Sequence, residues 1–281
     1  MHIHGFYVPV FGIEADFDEA VVDMPRKLVP TWGSEILLSR NTHPKRATKL
    51  KRKHLADSAN SPEIPKFCDW ELCIPGDNFE YFDGDIVHGI AFCILMRKTC
   101  CLHFPIWSTS STINPIDEND VCCGDVLPGE PLFYLDSKKL NLEDVEWISK
   151  NLPAVLSLMG NARFQNAMQA LNAYQYIPAA NFNFLVSWTG IEALFGISQE
   201  ISFRISLLLA KYLVDEQPER LRQKMYKGSY DLRSKVAHGS STKARVQTEQ
   251  SIFARQTLAR CLMRVVENGE PPDEETILFG S

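Results

Sequence analysis

The sequence predicts an α+β protein, with a smaller β-containing N-terminal region over residues 1–140 and an all-α helical bundle over residues 141–281. Two patterns carry that reading. Up to residue 140 the apolar residues come in short β-rich runs, punctuated by Pro75-Gly76, Asp83-Gly84 and Pro128-Gly129. From Asn141 onward they recur at spacings of three and four, the period of a helix with one buried face. Composition adds a third observation. With 45% hydrophobic and 23% charged residues in 281, the chain has enough apolar side chain for a core and is not disordered throughout.

In the N-terminal region Phe6–Val10, Ala20–Val22 and Ile36–Leu38 read as strands. The strongest β pattern lies between Ile86 and Trp107. Ile90–Met96 and Cys100–Phe104 resemble a hairpin turning near Arg97-Lys98-Thr99. A basic run interrupts the region: Lys45, Arg46, Lys49, Lys51, Arg52 and Lys53, with Leu50 among them. It suits a solvated loop better than a nucleic-acid contact or a localisation signal, because no aromatic residue lies within it to stack a base.

In the second region Asn141 caps a helix whose first turn carries Glu143 and Asp144, favourable beside the positive end of the helix dipole. Val145, Ile148, Leu152, Val155 and Leu156 follow, with Pro153 expected to kink or break the helix. The next helix carries Phe164, Ala167, Leu171 and Tyr174. Pro178 separates it from a third, with Phe184, Leu185, Trp188, Ile191 and Leu194-Phe195, stopped at Gly196. Ser198 caps a fourth, with Ile201, Ile205, Leu208, Leu209 and Tyr212 as its stripe. Pro218 opens a further helical stretch through Leu221 and Met225, expected to break at Gly228 before Tyr230–His238. The last long helix runs from about Thr242 to Glu267, with Ile252, Leu258, Ala259, Leu262 and Val265-Val266 inward, and ends at Asn268-Gly269. Six amphipathic segments on short loops make a bundle.

The net charge of −6 argues against a generally basic nucleic-acid protein. The charge is unevenly placed. Residues 1–140 hold 14 Lys and Arg against 20 Asp and Glu, whereas residues 141–269 hold 15 against 11. The second region can therefore accept a polyanion. Eight cysteines are too sparse for a disulfide scaffold, and no CxxC occurs. They read as reduced thiols in a cytoplasmic protein, rather than as a metal cluster of Cys100, Cys101, His103, Cys122 and Cys123. No run of 18 apolar residues predicts a membrane span, and Met1–Gly5 has no signal-peptide pattern. No P-loop, GxGxxG, HExxH, GxSxG or EF-hand pattern is present. No metal or cofactor is expected.

One short motif remains: Arg233-Ser234-Lys235-Val236-Ala237-His238-Gly239, an Arg followed by four residues and a His. Its spacing alone is weak. With 14 Arg and 7 His, roughly one such match arises by chance, and Arg97 with His103 is a second. The surroundings distinguish them. Residues 163–239 resemble the HEPN superfamily, and within it the ApeA-like group. The resemblance rests on Ile191–Phe195, Glu200–Ser206, Tyr230–Ser234 and the His238-Gly239 ending.

The resemblance implies an all-α bundle that dimerises and, in many members, cleaves RNA without a metal. It implies that Arg233 and His238 are catalytic, with Ser234, Lys235, Arg204, Glu200 and Tyr230 as substrate-binding or supporting residues. Many members carry Asn, Asp or His directly after the Arg, where this chain has Ser234. The implied partners are RNA, a second copy of the chain and a protein trigger or antitoxin, in a bacterial anti-phage or toxin-like role, with no membrane.

The residue types suit the chemistry. RNA carries its own nucleophile, the 2′-OH. In-line attack on the adjacent phosphate leaves a 2′,3′-cyclic phosphate and a 5′-OH. A guanidinium fork can pair with two phosphoryl oxygens as charge builds on them. An imidazole can take the 2′-OH proton or supply the one that the 5′-oxygen needs. Residues five apart on a helix lie about 140° apart around its axis, so a cleft between two copies would best collect Arg233 and His238. The plainer readings are that Arg233 pairs with Asp231, Glu192 or Glu200, that Arg204 pairs with Glu200, and that Tyr226 and Tyr230 belong to the core or an interface. The alternative function is a non-catalytic helical module that binds RNA, a nucleotide or a protein.

Overall fold

A computed structural model of the chain describes residues 5–10, 12–23, 35–40, 70–75, 84–104, 106–108, 122–124, 139–197 and 201–280. The basic run at 45–53, Ser198 and Glu200 lie outside the described residues. The chain is α+β with more helix than strand, and it divides into two compact units, Met1–Pro153 and Ala154–Ser281.

The first unit holds a six-stranded sheet. Its strands are β1 (Gly5–Val10), β2 (Glu19–Asp23), β3 (Glu35–Arg40), β4 (Trp70–Pro75), β5 (Ile106–Ser108) and β6 (Cys122–Gly124). They lie in the order β2-β3-β4-β1-β5-β6, with every pairing antiparallel. The first three expected strands are β1, β2 and β3. The fourth, β4, is central, and its residues Trp70–Ile74 are buried on both faces, so it shows no alternation to betray it.

The expected hairpin is not there. Gly84–Arg97 is instead a 14-residue helix, α1. Ile86, Val87, Ile90, Ala91, Cys93, Ile94, Leu95 and Met96 are each at most 3% exposed. A helix buried around most of its circumference has no polar side, and its residues then lose the period that would separate helix from strand.

The second helix, α2 (Leu142–Leu158), starts as expected at Asn141. The Asp144 N–H donates to Asn141 Oδ1 and the Asn141 N–H donates to Asp144 Oδ2, both at 2.9 Å, a reciprocal cap. Asp144 also takes Arg97 (Nε, 2.9 Å) and Lys98 (Nζ, 2.6 Å) at the end of α1. Burial by itself would raise its carboxyl, but the hydrogen bonds from Lys98, the Asn141 N–H and Arg97 outweigh that and hold it below the usual range. Pro153 does not break α2. The helix continues for five residues beyond it, and the division between the two units falls at this proline.

The second unit contains α3 (Ala162–Ala173), a 3₁₀ turn at Tyr174–Tyr176, α4 (Ala180–Phe195), α5 (Ile201–Tyr212), α6 (Glu219–Ala237), α7 (Ala244–Asn268) and α8 (Glu274–Phe279). At its centre α4 packs on α3 and α7, burying Phe184, Trp188, Ile191 and Leu194. A Cβ at Gly190 would lie 2.6 Å from Ala170 Cβ and 3.0 Å from Leu258 Cδ2, so the three helices meet on a residue with no side chain. Gly196 and Gly269 end α4 and α7 in the left-handed conformation, at φ 67° and 79°.

Two arginines close helix ends from the side. Arg163 donates to the Leu194 carbonyl at the end of α4 (Nε, 2.8 Å) and to the Pro272 carbonyl (2.7 Å). Arg222 donates to the Ala210 carbonyl of α5 through Nε (3.1 Å) and Nη2 (2.7 Å). Both satisfy carbonyls that a helix C-terminus leaves open. The acidic tail forms α8, capped by Asp273 and tied to α5 by the Arg204–Glu274 ion pair. Two expectations are corrected in this unit. Gly228 lies inside an unbroken α6, where a glycine costs about 1 kcal/mol relative to alanine and is tolerated in a long helix. Ile252 is 40% exposed rather than inward.

Candidate functional site

The motif occupies the last turns of α6. Arg222, Tyr226, Ser229 and Tyr230 are buried and recur at helical spacing along the core-facing line of this helix. Arg233 comes next on that line, where the core runs out. Its side chain is 23% exposed.

Two contacts fix the guanidinium, and two more brace its partners. Nη2 donates to Glu192 Oε2 of α4 at 3.1 Å. The guanidinium carbon lies 5.5 Å from the centroid of the Tyr230 ring, one turn back on α6. That ring stands edge-on to the fully buried Trp188, at 5.2 Å and 89°. The Tyr230 hydroxyl then donates to the other Glu192 oxygen, Oε1, at 2.5 Å. Burial pushes the Tyr230 phenol well above its usual value, and the Glu192 carboxylate adds to the shift. Trp188 and Glu192 are thus one turn apart on α4 and meet Tyr230 and Arg233, one turn apart on α6. The pair with Glu192 uses a single donor group of the guanidinium, and Nε is buried with no hydrogen-bond partner.

His238 is the C-terminal cap of α6, and its side chain is exposed. Its N–H donates to the Ser234 carbonyl at 3.1 Å. Gly239 follows at φ +82°, donating to the Val236 carbonyl (3.0 Å), and Ser240 donates to the Lys235 carbonyl (2.9 Å). This reverse turn needs a left-handed residue at Gly239, which gives the His-Gly pair a geometric reason. No hydrogen bond or ion pair links the side chains of Arg233 and His238. They lie on one continuous helix and point different ways.

The remaining expected residues fall around this turn or away from it. Ser234 is partly covered and Lys235 exposed. Arg204 pairs with Glu274, Nε to Oε1 at 3.0 Å. Tyr226 and Tyr230 are buried in the core. Asp231, one of the partners weighed for Arg233, binds Lys227 Nζ (2.8 Å) and Ser202 Oγ (2.6 Å), which lower its carboxyl. Helix α6 carries six basic residues against two acidic ones, and Lys243 and Arg245 follow just past its end. Elsewhere, Cys100 and Cys101 are buried, and the described residues include no group of three or more His, Cys, Asp or Glu that could hold a metal. No helix among them is long and apolar enough to cross a membrane.

Sequence reasoning named Glu192 only as one of three partners for Arg233. The available signal was that Trp188 and Glu192, like Tyr230 and Arg233, lie one helical turn apart. In comparisons with known proteins, no family model, no curated protein and no solved structure matches this chain.

Proposed function

We propose that the second unit is an endoribonuclease of the HEPN type, in which Arg233 and His238 act on the phosphodiester of RNA. The observation that carries the reading is the state of the two motif residues. Arg233 is held by Glu192 and Tyr230 with most of its donors uncommitted, and His238 stands exposed at the helix end five residues on. The basic excess of α6 and of the turn after it suits a polyanionic substrate.

In the proposed reaction the 2′-oxygen attacks phosphorus and the bond to the 5′-oxygen breaks. One proton leaves the 2′-OH and one reaches the departing 5′-oxygen, and His238 serves one of these transfers. Arg233 pairs with the phosphoryl oxygens as they gain charge. Because the two side chains diverge around α6, a second copy of the chain completes the cleft. An exposed apolar line on the same helix supports that arrangement: Leu221 and Met225 are 55% and 38% exposed, and a Cβ at Gly228 would meet nothing within 4 Å.

The test is cleavage of end-labelled mixed RNA in EDTA by wild type, Arg233→Ala and His238→Ala. The expected result is cleavage by wild type alone, with each variant reduced about 100-fold or more. Retained cleavage in both variants defeats the assignment.

One observation favours a second reading. Arg233 is already neutralised by Glu192, as a structural ion pair would be. In that case the unit is a non-catalytic RNA- or nucleotide-binding module. It then shows salt-dependent affinity without turnover, and the affinity survives loss of His238.

A further inference from the structure

Resting on the ribonuclease reading, we infer that Glu192 is the positioning residue of the site: through Tyr230 and the Trp188 edge it aims Arg233 at the scissile phosphate, and it does so at the expense of substrate affinity.

The two oxygens of the Glu192 carboxylate serve two different donors, the Tyr230 hydroxyl at 2.5 Å and Arg233 Nη2 at 3.1 Å. The Tyr230 ring that donates to Glu192 is also the surface on which the Arg233 guanidinium rests. Ring, carboxylate and guanidinium therefore form a closed three-member unit, in which each member fixes the other two. The unit is grounded in the core, because Trp188 is fully buried and braces the ring edge-on. The pair is itself largely covered, with Arg233 23% and Glu192 18% exposed, so the bracing holds the guanidinium in one geometry.

The chemistry gives the bracing a purpose. A long flexible side chain must otherwise be ordered as the reaction proceeds, and a misplacement of about 1 Å costs on the order of 100-fold in rate. The same carboxylate has an opposite effect on binding. It sits against the cation that meets the substrate, so it weakens the attraction of the ground-state phosphate. Glu192 thus acts on turnover and on affinity in opposite directions, a signature that a merely structural residue lacks.

The experiment measures kcat and KM for RNA cleavage by wild type, Glu192→Ala, Glu192→Gln and Tyr230→Phe, each checked for its thermal midpoint. Glu192→Ala is expected to lower kcat about 10- to 100-fold while KM stays level or falls. Glu192→Gln keeps the size and one acceptor but loses the charge, so KM falls with a smaller loss in kcat. Tyr230→Phe keeps the ring under Arg233 and loses only the hydroxyl, for a few-fold loss in kcat. Should Glu192→Ala fail to fold, Glu192→Gln and Tyr230→Phe carry the test. An active wild type with unchanged kcat in the folded variants, or with KM raised and kcat unchanged, overturns the role of Glu192 and leaves the nuclease reading standing. A wild type that binds RNA and never cleaves it overturns the nuclease reading, and the positioning role with it.

Discussion

The chain contains two arginine–histidine pairs of similar spacing, one in each unit, and they are built differently. In the first unit Arg97 closes α1 and gives Asp144 two nitrogens, Nε at 2.9 Å and Nη2 at 2.8 Å. Its guanidinium also lies over Trp147, 5.6 Å from the ring centroid. The companion His103 is 6% exposed. In the second unit Arg233 has a comparable ring beneath it, but it gives Glu192 a single nitrogen, and His238 is exposed. Arg97 ties α1 to α2. The second pair leaves donors and an imidazole within reach of a ligand. Spacing in sequence is shared; what differs is how much of each side chain the fold has already used.

That contrast is sharpest in a cleavage assay. Arg233→Ala is expected to lose about 100-fold or more in RNA cleavage, whereas Arg97→Ala keeps cleavage within about twofold per folded molecule. Equal losses in the two variants would erase the distinction.

Stability should rank the pairs the other way. Asp144 is 1% exposed and faces two cations, so Asp144→Ala strands both and removes a helix cap, at a cost of about 3 kcal/mol in urea unfolding. A loss below about 1 kcal/mol would contradict that role. The sign with pH follows from its lowered carboxyl. Its contribution is complete above the ordinary carboxylate value of about 4, and it is lost as pH falls through the lower folded value. Asp144→Asn is therefore expected to lose less stability between neutral and acid pH than wild type does.

Two glycines of the second unit give the smallest effects, with opposite signs. Gly190→Ala forces a methyl against Ala170 and Leu258, for a destabilisation of about 1–3 kcal/mol. Gly228→Ala puts a methyl into open space on α6, for a gain of about 0.5–1 kcal/mol. Thermal midpoints measured side by side check both.

The same two units show what could be read from sequence. The helices of the second unit each keep an exposed face, so their period, caps and stop glycines were legible at Gly196, Pro218 and Gly269, as was the cap at Asn141 in the first unit. Helix α1 and strand β4 are buried on nearly every side and carry no such period, so α1 read as β and β4 went unread. Composition could not resolve them, because β-branched and aromatic residues suit any dry interior. Arg233 and His238 were legible through their motif. Glu192 was legible only as one acid among several, because its choice as partner depends on how α4 crosses α6.

The most direct measurement compares an RNA with the DNA strand of the same sequence, each incubated with wild type in EDTA, and identifies the product ends. The expected result is that RNA is cut to 2′,3′-cyclic phosphate and 5′-hydroxyl ends, that the strand lacking 2′-hydroxyls stays whole, and that His238→Ala cuts neither. Cleavage of both strands, or RNA cleavage by His238→Ala at the wild-type rate, would contradict it.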